Sequence, residues 1–215
     1  MPTDLAHLTL MQWLSPAYPV GAFAYSHGLE HAVSAGDVVD CAGFEAWLED
    51  VLAHGAGRSD AILLHAAYHA TGTARLPLID DLARALCPSS ERRMETDLQG
   101  EAFAATTAAI WNTTTPPATY PVAVGAAARL AGIDPVLTAA SFLHAFAANL
   151  TSAAIRLIPL GQTEGQKVLA RMAQLCQSLA RETADLDTED IGTSCFAADI
   201  ASMQHEIEYT RLFRS

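Results

Sequence analysis

The chain has 215 residues, of which 51% are hydrophobic and 17% charged, and 12 Lys+Arg against 24 Asp+Glu give it a formal net charge of −12. A chain of this length and apolar content buries a core without disulfides or metal staples, which excludes a disordered polypeptide. The acidic excess repels phosphate backbones and anionic membrane surfaces, so neither nucleic acid nor membrane is expected as a partner and basic or cationic partners are favoured.

No stretch alternates with period two over a useful length, whereas helical spacing and helix punctuation recur from end to end. The fold class expected is therefore all-α, a single globular multi-helix domain over residues 1–215 with roughly ten helices. Ser26 is a candidate cap for a helix that carries Leu29, Ala32 and Val33 inward and stops at Gly36. Asp40 starts the next, with Phe44, Trp47, Leu48, Val51 and Leu52 on one face. Ser59 opens a third that ends near Gly72, and Pro77 suits the first turn of a short fourth one ending before Pro88. Ser89 or Ser90 begins a longer helix through Met94, Leu98, Ala102, Ala105 and Ala109.

The segment NTTTPPATY, Asn112 to Tyr120, is the clearest break and a candidate joint between two helical halves, since Pro116 and Pro117 cannot extend a helix. An Ala-rich helix from Pro121 to Ala131 closes at Gly132, after which Asp134 and Pro135 supply a cap and a first-turn proline. The helix they open places Leu143, Phe146, Leu150, Ala153 and Leu157 on one stripe expected to be buried. Its other side holds Ala140, Ala147, Ala148 and Ala154, small enough for a second helix to approach, from the same subunit or another copy. The uncharged run Val136 to Ile155 is long enough to span a bilayer, yet Thr138, Ser141, His144 and Asn149 make it too polar for a lipid-facing span. Thr163 and Gln166 fit a capping box for a helix through Val168, Leu169, Met172, Leu175 and Leu179. The acidic run from Asp185 to Asp190 reads as a loop, and Ser194 starts a last helix with Phe196, Ile200, Met203 and Ile207 expected inward.

Motifs for catalysis or metal binding fall short. Gly161, Gly165 and Lys167 imitate a phosphate-binding loop, but the spacing is one residue short and no strand precedes it, so a helix-entry turn is expected. His205-Glu206 lacks a second histidine one turn on, where Tyr209 stands. The acidic loop lacks the glycine and distant glutamate of a calcium hand, and there is no Gly-x-Ser-x-Gly elbow. His27 with His31 and His65 with His69 are each four apart and could share helix faces that bind a soft or borderline divalent metal, which keeps a direct metal-binding carrier or storage protein, using these histidines and cysteines, as the alternative function. Cys41, Cys87, Cys176 and Cys195 form no CxxC pair, as expected of reduced thiols in the cytoplasm, and no secretory signal is visible at the N-terminus.

Two segments have the composition of interfaces. In SPAYPVGAFAYSHGLE, Ser15 to Glu30, prolines and glycines stiffen a loop that carries Tyr18, Phe23 and Tyr25, with Ser26 and Glu30 at its end. Aromatics on a stiff loop lose little entropy on binding, although either Phe23 or Tyr25 could instead fold back onto the core. The second, HEIEYTRLFRS, puts Tyr209, Arg211, Leu212, Phe213 and Arg214 on a terminal segment, with fraying or docking on its own domain as the plain alternatives.

At these segments the chain resembles the UreF family of urease accessory proteins. The resemblance rests on LSPAYPVGAFAYSHGLEHAV, on YPVAVGAAARLAGI followed by NLTSAAIRLIPLGQTEGQKVL, and on HEIEYTRLFRS, where Thr210 replaces the usual serine. It implies an all-helical, non-catalytic cytoplasmic homodimer, with no cofactor and no metal site of its own. Such a protein joins UreD (also called UreH) and the GTPase UreG to deliver nickel to the urease apoprotein. It further implies that the tail, residues 205–215 with His205, Glu206, Tyr209, Arg211, Leu212, Phe213 and Arg214, becomes ordered against UreD/UreH. By the same resemblance the loop holding Phe23 and Tyr25, with Tyr18, Ser26 and Glu30 as further partner-binding candidates, is expected to contact UreG, and the Asp134 to Ile158 helix, which carries Ala140 and His144, is expected to contribute to the dimer. Arg58, Arg129 and Arg156 are equal candidates for an arginine donated in trans to phosphate transfer.

Overall fold

The computed structural model describes residues 3–72, 74–112 and 116–215. Ten α-helices account for most of them: α1 Thr3–Trp13, α2 Leu29–Ser34, α3 Cys41–His54, α4 Ala56–His69, α5 Arg75–Ala85, α6 Ser90–Trp111, α7 Tyr120–Ala131, α8 Pro135–Leu157, α9 Gln162–Glu182 and α10 Phe196–His205. No strand occurs among the described residues, and two single 3-10 turns, Ala22–Ala24 and Thr188–Asp190, punctuate the loops.

Several helix starts follow from local chemistry. The side chains of Asp40, Ser89 and Asp134 accept from Gly43, Arg92 and Leu137 N–H at the openings of α3, α6 and α8. Others differ from the sequence reading. α4 starts after Gly55, and Ser59 lies buried inside it; α9 starts after Gly161 without a side-chain cap; α10 follows Cys195. Gly161 at the entry of α9 matches the helix-entry turn expected there.

Two apolar clusters fill the interior, and α8 belongs to both. One gathers α2, α3, α9 and α10 around Leu143, Leu150 and Ala154 of α8. The other gathers α1, α4, α5, α6 and α7 around Ala139 and Phe142. The Asn112–Tyr120 segment therefore does not divide the molecule, because α6 and α7 on either side of it enter the same cluster; its three threonines, 113–115, lie outside the described residues. α4 is packed by α3, α5, α7, α8 and α9. Its crossing with α7 depends on Gly125, where an added Cβ would lie 2.3 Å from the Leu64 carbonyl oxygen. α8 is the one described helix long and apolar enough to cross a membrane, and it runs through both clusters.

Two helices turn the opposite way from their apolar pattern. α10 buries Ala198, Ala201, Ser202 and His205, so Phe196, Ile200, Met203 and Ile207, expected inward, face outward instead. The first half of α6 buries Arg92, Glu95, Thr96 and Gln99 while Met94 and Leu98 are exposed, and only its second half turns Phe103 and Ala104 into the core. At Arg92 and Glu95 of α6 and at Ser202 and His205 of α10 the inward side chains meet polar partners that come together only on folding.

Candidate functional site

The chain after α10 returns to the loop before α2. Two left-handed residues, His27 (φ 55°) and Gly28 (φ 78°), separate Ser26 from α2, so Gly28 rather than Ser26 is the capping residue. Ser26 keeps part of a cap's role, its Oγ accepting from Glu30 N–H at 3.3 Å. A Cβ on Gly28 would stand 2.6 Å from Ser202 N, so α10 presses directly on this turn.

The last residues bind this turn through their main chain. Ser26 donates to the main-chain oxygen of Ser215 from both N–H (2.7 Å) and Oγ (2.6 Å). Arg214 N–H donates to Ala24 O at 2.8 Å. The Glu30 carboxylate accepts from Leu212 N–H at 2.6 Å and Phe213 N–H at 2.8 Å. The Phe213 ring is 4% exposed and joins the first apolar cluster, with the Arg156 guanidinium of α8 stacked 4.3 Å above its centre. Arg156 also donates to Phe23 O at 3.4 Å, so one side chain ties loop and tail to α8.

Beneath the tail lies a buried charged cluster. Ser215 Oγ donates to Glu95 at 2.7 Å; Glu95 also pairs with Arg92 at 2.5 Å and with His27 Nε2 at 2.8 Å. Burial raises the Glu95 pKa, but Arg92, His27 and the Ser215 hydroxyl outweigh it and bring it down to about 2. His27 is lowered, first by burial and then by Arg92. Asp60 of α4 borders the same cluster, its pKa pushed up to about 7 by burial against the pull of Arg92. A second group sits above: His205 lies between Glu91 and Glu30, and Arg211 pairs with Glu91.

The candidate residues divide by exposure. Tyr25, Ser26 and Glu30 are buried under the tail, and Tyr18 lies in the second cluster, its ring 5.6 Å from that of Phe103 and its hydroxyl 2.8 Å from Thr107 Oγ1. Phe23 is 68% exposed on its 3-10 turn. It borders a groove of about 710 Å³ that Ala140 and His144 of α8 also line. Of the tail residues, His205 and Phe213 are buried; Tyr209, Arg211, Leu212 and Arg214 are exposed; and Glu206 accepts from Glu91 N–H at 3.1 Å. Arg92, Glu95, Glu91 and Asp60, which organise the site, carry no sequence signal beyond the Arg92–Glu95 spacing of three on a helix, and Arg156, a candidate for donation in trans, instead holds the loop and tail.

The histidine pairs do not converge. His27 precedes α2 and faces Glu95, while His31 faces Glu208 at 2.6 Å. His65 is buried, with Nε2 3.1 Å from Ala180 O, whereas His69 is exposed. Among the described residues no three of His, Cys, Asp and Glu are placed to hold a metal ion.

The family model described as UreF matches residues 38–173. Proteins described as urease accessory protein UreF align along nearly the whole chain, loop and tail included. That of Ruegeria pomeroyi is 51% identical over 214 residues, covering 100% of this chain and 99% of the relative. That of Roseobacter denitrificans is 52% identical (100% and 96% covered), and that of Ruegeria sp. strain TM1040 is 56% identical (99% and 100% covered). The chain belongs to the UreF family of urease accessory proteins.

Proposed function

We propose that the protein is an adaptor in urease maturation that joins UreD/UreH and the GTPase UreG, as a homodimer in the cytoplasm, so that GTP turnover is coupled to nickel delivery into the urease apoprotein. One observation carries this reading: α10 and the residues after it hold an outward apolar stripe. Phe196, Ile200, Met203 and Ile207 fall at spacings of four, three and four, and Leu212 follows. Phe196 is 67% and Ile207 80% exposed, and large apolar side chains aligned on one exposed face favour a protein partner over solvent.

Phe23 supports a second contact surface. Its turn is fixed by Gly21 and by the Arg156 hydrogen bond, so the ring is offered with little entropy left to lose. Ala140 and His144, across the groove from it, provide the α8 surface for the homodimer. Two surfaces on one helical body couple their partners when each partner binds one arrangement of that body better than another.

Co-purification with UreD/UreH and UreG tests the reading. The Ile200→Asp/Ile207→Asp double variant is expected to lose UreD/UreH at least tenfold while its helical content stays that of the wild type, since both side chains already face solvent. Phe23→Ala is expected to weaken UreG capture; Tyr25 is left intact because its ring is part of the interior. Undiminished capture by both variants overturns the assignment.

A further inference from the structure

His205 is fully buried, and each of its ring nitrogens faces a carboxylate: Nδ1 lies 2.7 Å from Glu91 of α6 and Nε2 lies 3.2 Å from Glu30 of α2. A neutral imidazole has one N–H, so it satisfies one of these carboxylates and turns a lone pair toward the other; an imidazolium satisfies both. We propose that the proton on His205 is a latch for the C-terminal tail, residues 206–215: with both ring nitrogens protonated the tail stays on the α2 turn, and loss of that proton releases it.

The consequence passes through Glu30. Its carboxylate receives the amides of Leu212 and Phe213 as well as the ring. When His205 is neutral its remaining proton stays on the shorter Nδ1 contact to Glu91, and Nε2 offers Glu30 only a lone pair. The charge-assisted bond that holds Glu30 under the tail is then replaced by repulsion. The other charged groups around the ring do not restore it. Arg211, on the tail itself, pairs with Glu91, the carboxylate that keeps its proton partner. Glu206 accepts from Glu91 N–H, and Glu208 is engaged by His31 and Ser34. Deprotonation thus leaves the carboxylates of Glu30, Glu91, Glu206 and Glu208 around a neutral ring, with the Arg211 guanidinium among them. This latch concerns the tail on its own chain, so it stands or falls independently of which partner the tail meets.

Hydrogen exchange on the full chain, with amide protection corrected for intrinsic rates, tests it between about pH 5 and about pH 8. Protection of Leu212 and Phe213 is expected to fall at least tenfold toward the upper pH, in step with loss of the doubly protonated ¹⁵N signature of the His205 ring. His205→Gln is expected to give weak, pH-independent protection, whereas His31→Gln and Asp60→Asn keep the dependence. Equal protection at both pH values in the wild type overturns the proposal. So does an unchanged dependence in His205→Gln, or full tail protection over a singly protonated ring. If His205→Gln does not fold by circular dichroism, the wild-type ring signature against tail protection decides alone.

Discussion

Ser26 and Ser215 are 189 positions apart in sequence, yet the Ser26 hydroxyl donates to the main-chain oxygen of Ser215 at 2.6 Å inside the protein. The final residue is thereby packed beside the start of the second helix, over the Arg92–Glu95–His27 cluster. Loop and tail form one unit, so a disturbance of either is felt by both.

Phe213 is the apolar anchor of that unit. Truncating a buried Phe to Ala typically costs ~3–5 kcal/mol, but a terminal segment opens without the rest of the fold, so the loss is confined to the tail. Phe213→Ala is expected to speed amide exchange over 207–215 more than tenfold while the global unfolding free energy falls by less than ~2 kcal/mol. Arg156→Ala, which removes the stacked guanidinium, is expected to act in the same direction at ~0.5–1 kcal/mol. Exchange mass spectrometry with a urea titration of each variant checks both.

Gly28 combines a left-handed backbone with the closest approach of α10. An added methyl group meets Ser202 N at 2.6 Å, backbone that cannot swing aside. Gly28→Ala is therefore expected to lower the unfolding free energy by ~2 kcal/mol or more, whereas the same change at Gly36, whose Cβ position is open, is expected to cost only ~1 kcal/mol of backbone strain. Urea midpoints at constant m-value separate the two.

Asp60 sets a pH dependence opposite in sign to that of an acid held ionised by a cationic partner. Its folded pKa of about 7 lies above the ordinary 3.8, so the folded state holds the proton more tightly. The unfolded chain releases that proton first, and stability falls as pH rises from about 4 to about 7. Asp60→Asn removes this cost. It is expected to raise the unfolding free energy by roughly 1–3 kcal/mol at about pH 8 and to have little effect near about pH 4, a difference that chemical denaturation at the two pH values measures.

Much of the helical plan was legible from residue chemistry. Asp40 and Asp134 were readable as helix caps, and α6 as starting at Ser89 or Ser90, of which Ser89 is the cap, because a short side-chain acceptor satisfies a free N–H within its own turn, whatever the remainder of the chain does. The α9 face, Val168, Leu169, Met172 and Leu179, was readable because its apolar spacing and its burial agree. Local pattern failed where a helix meets charge. In α6, Arg92 and Glu95 turn inward because His27, Ser215 and each other complete their hydrogen bonds there, and no window of neighbouring residues contains those partners. Tyr18, Tyr25 and Phe23 look alike in the loop, yet only Phe23 remains outside.

Taken alone, the sequence determined the helical class, most helix punctuation and, through its loop and tail motifs, the family, all of which depend on short stretches of residues and their immediate neighbours. Only the tertiary structure decided which way α6 and α10 face, that the tail lies on the Ser26–Glu30 turn, and that His205 stands between two carboxylates. These are long-range pairings, and a buried charge takes its place from partners brought together by the whole fold rather than from the residues beside it.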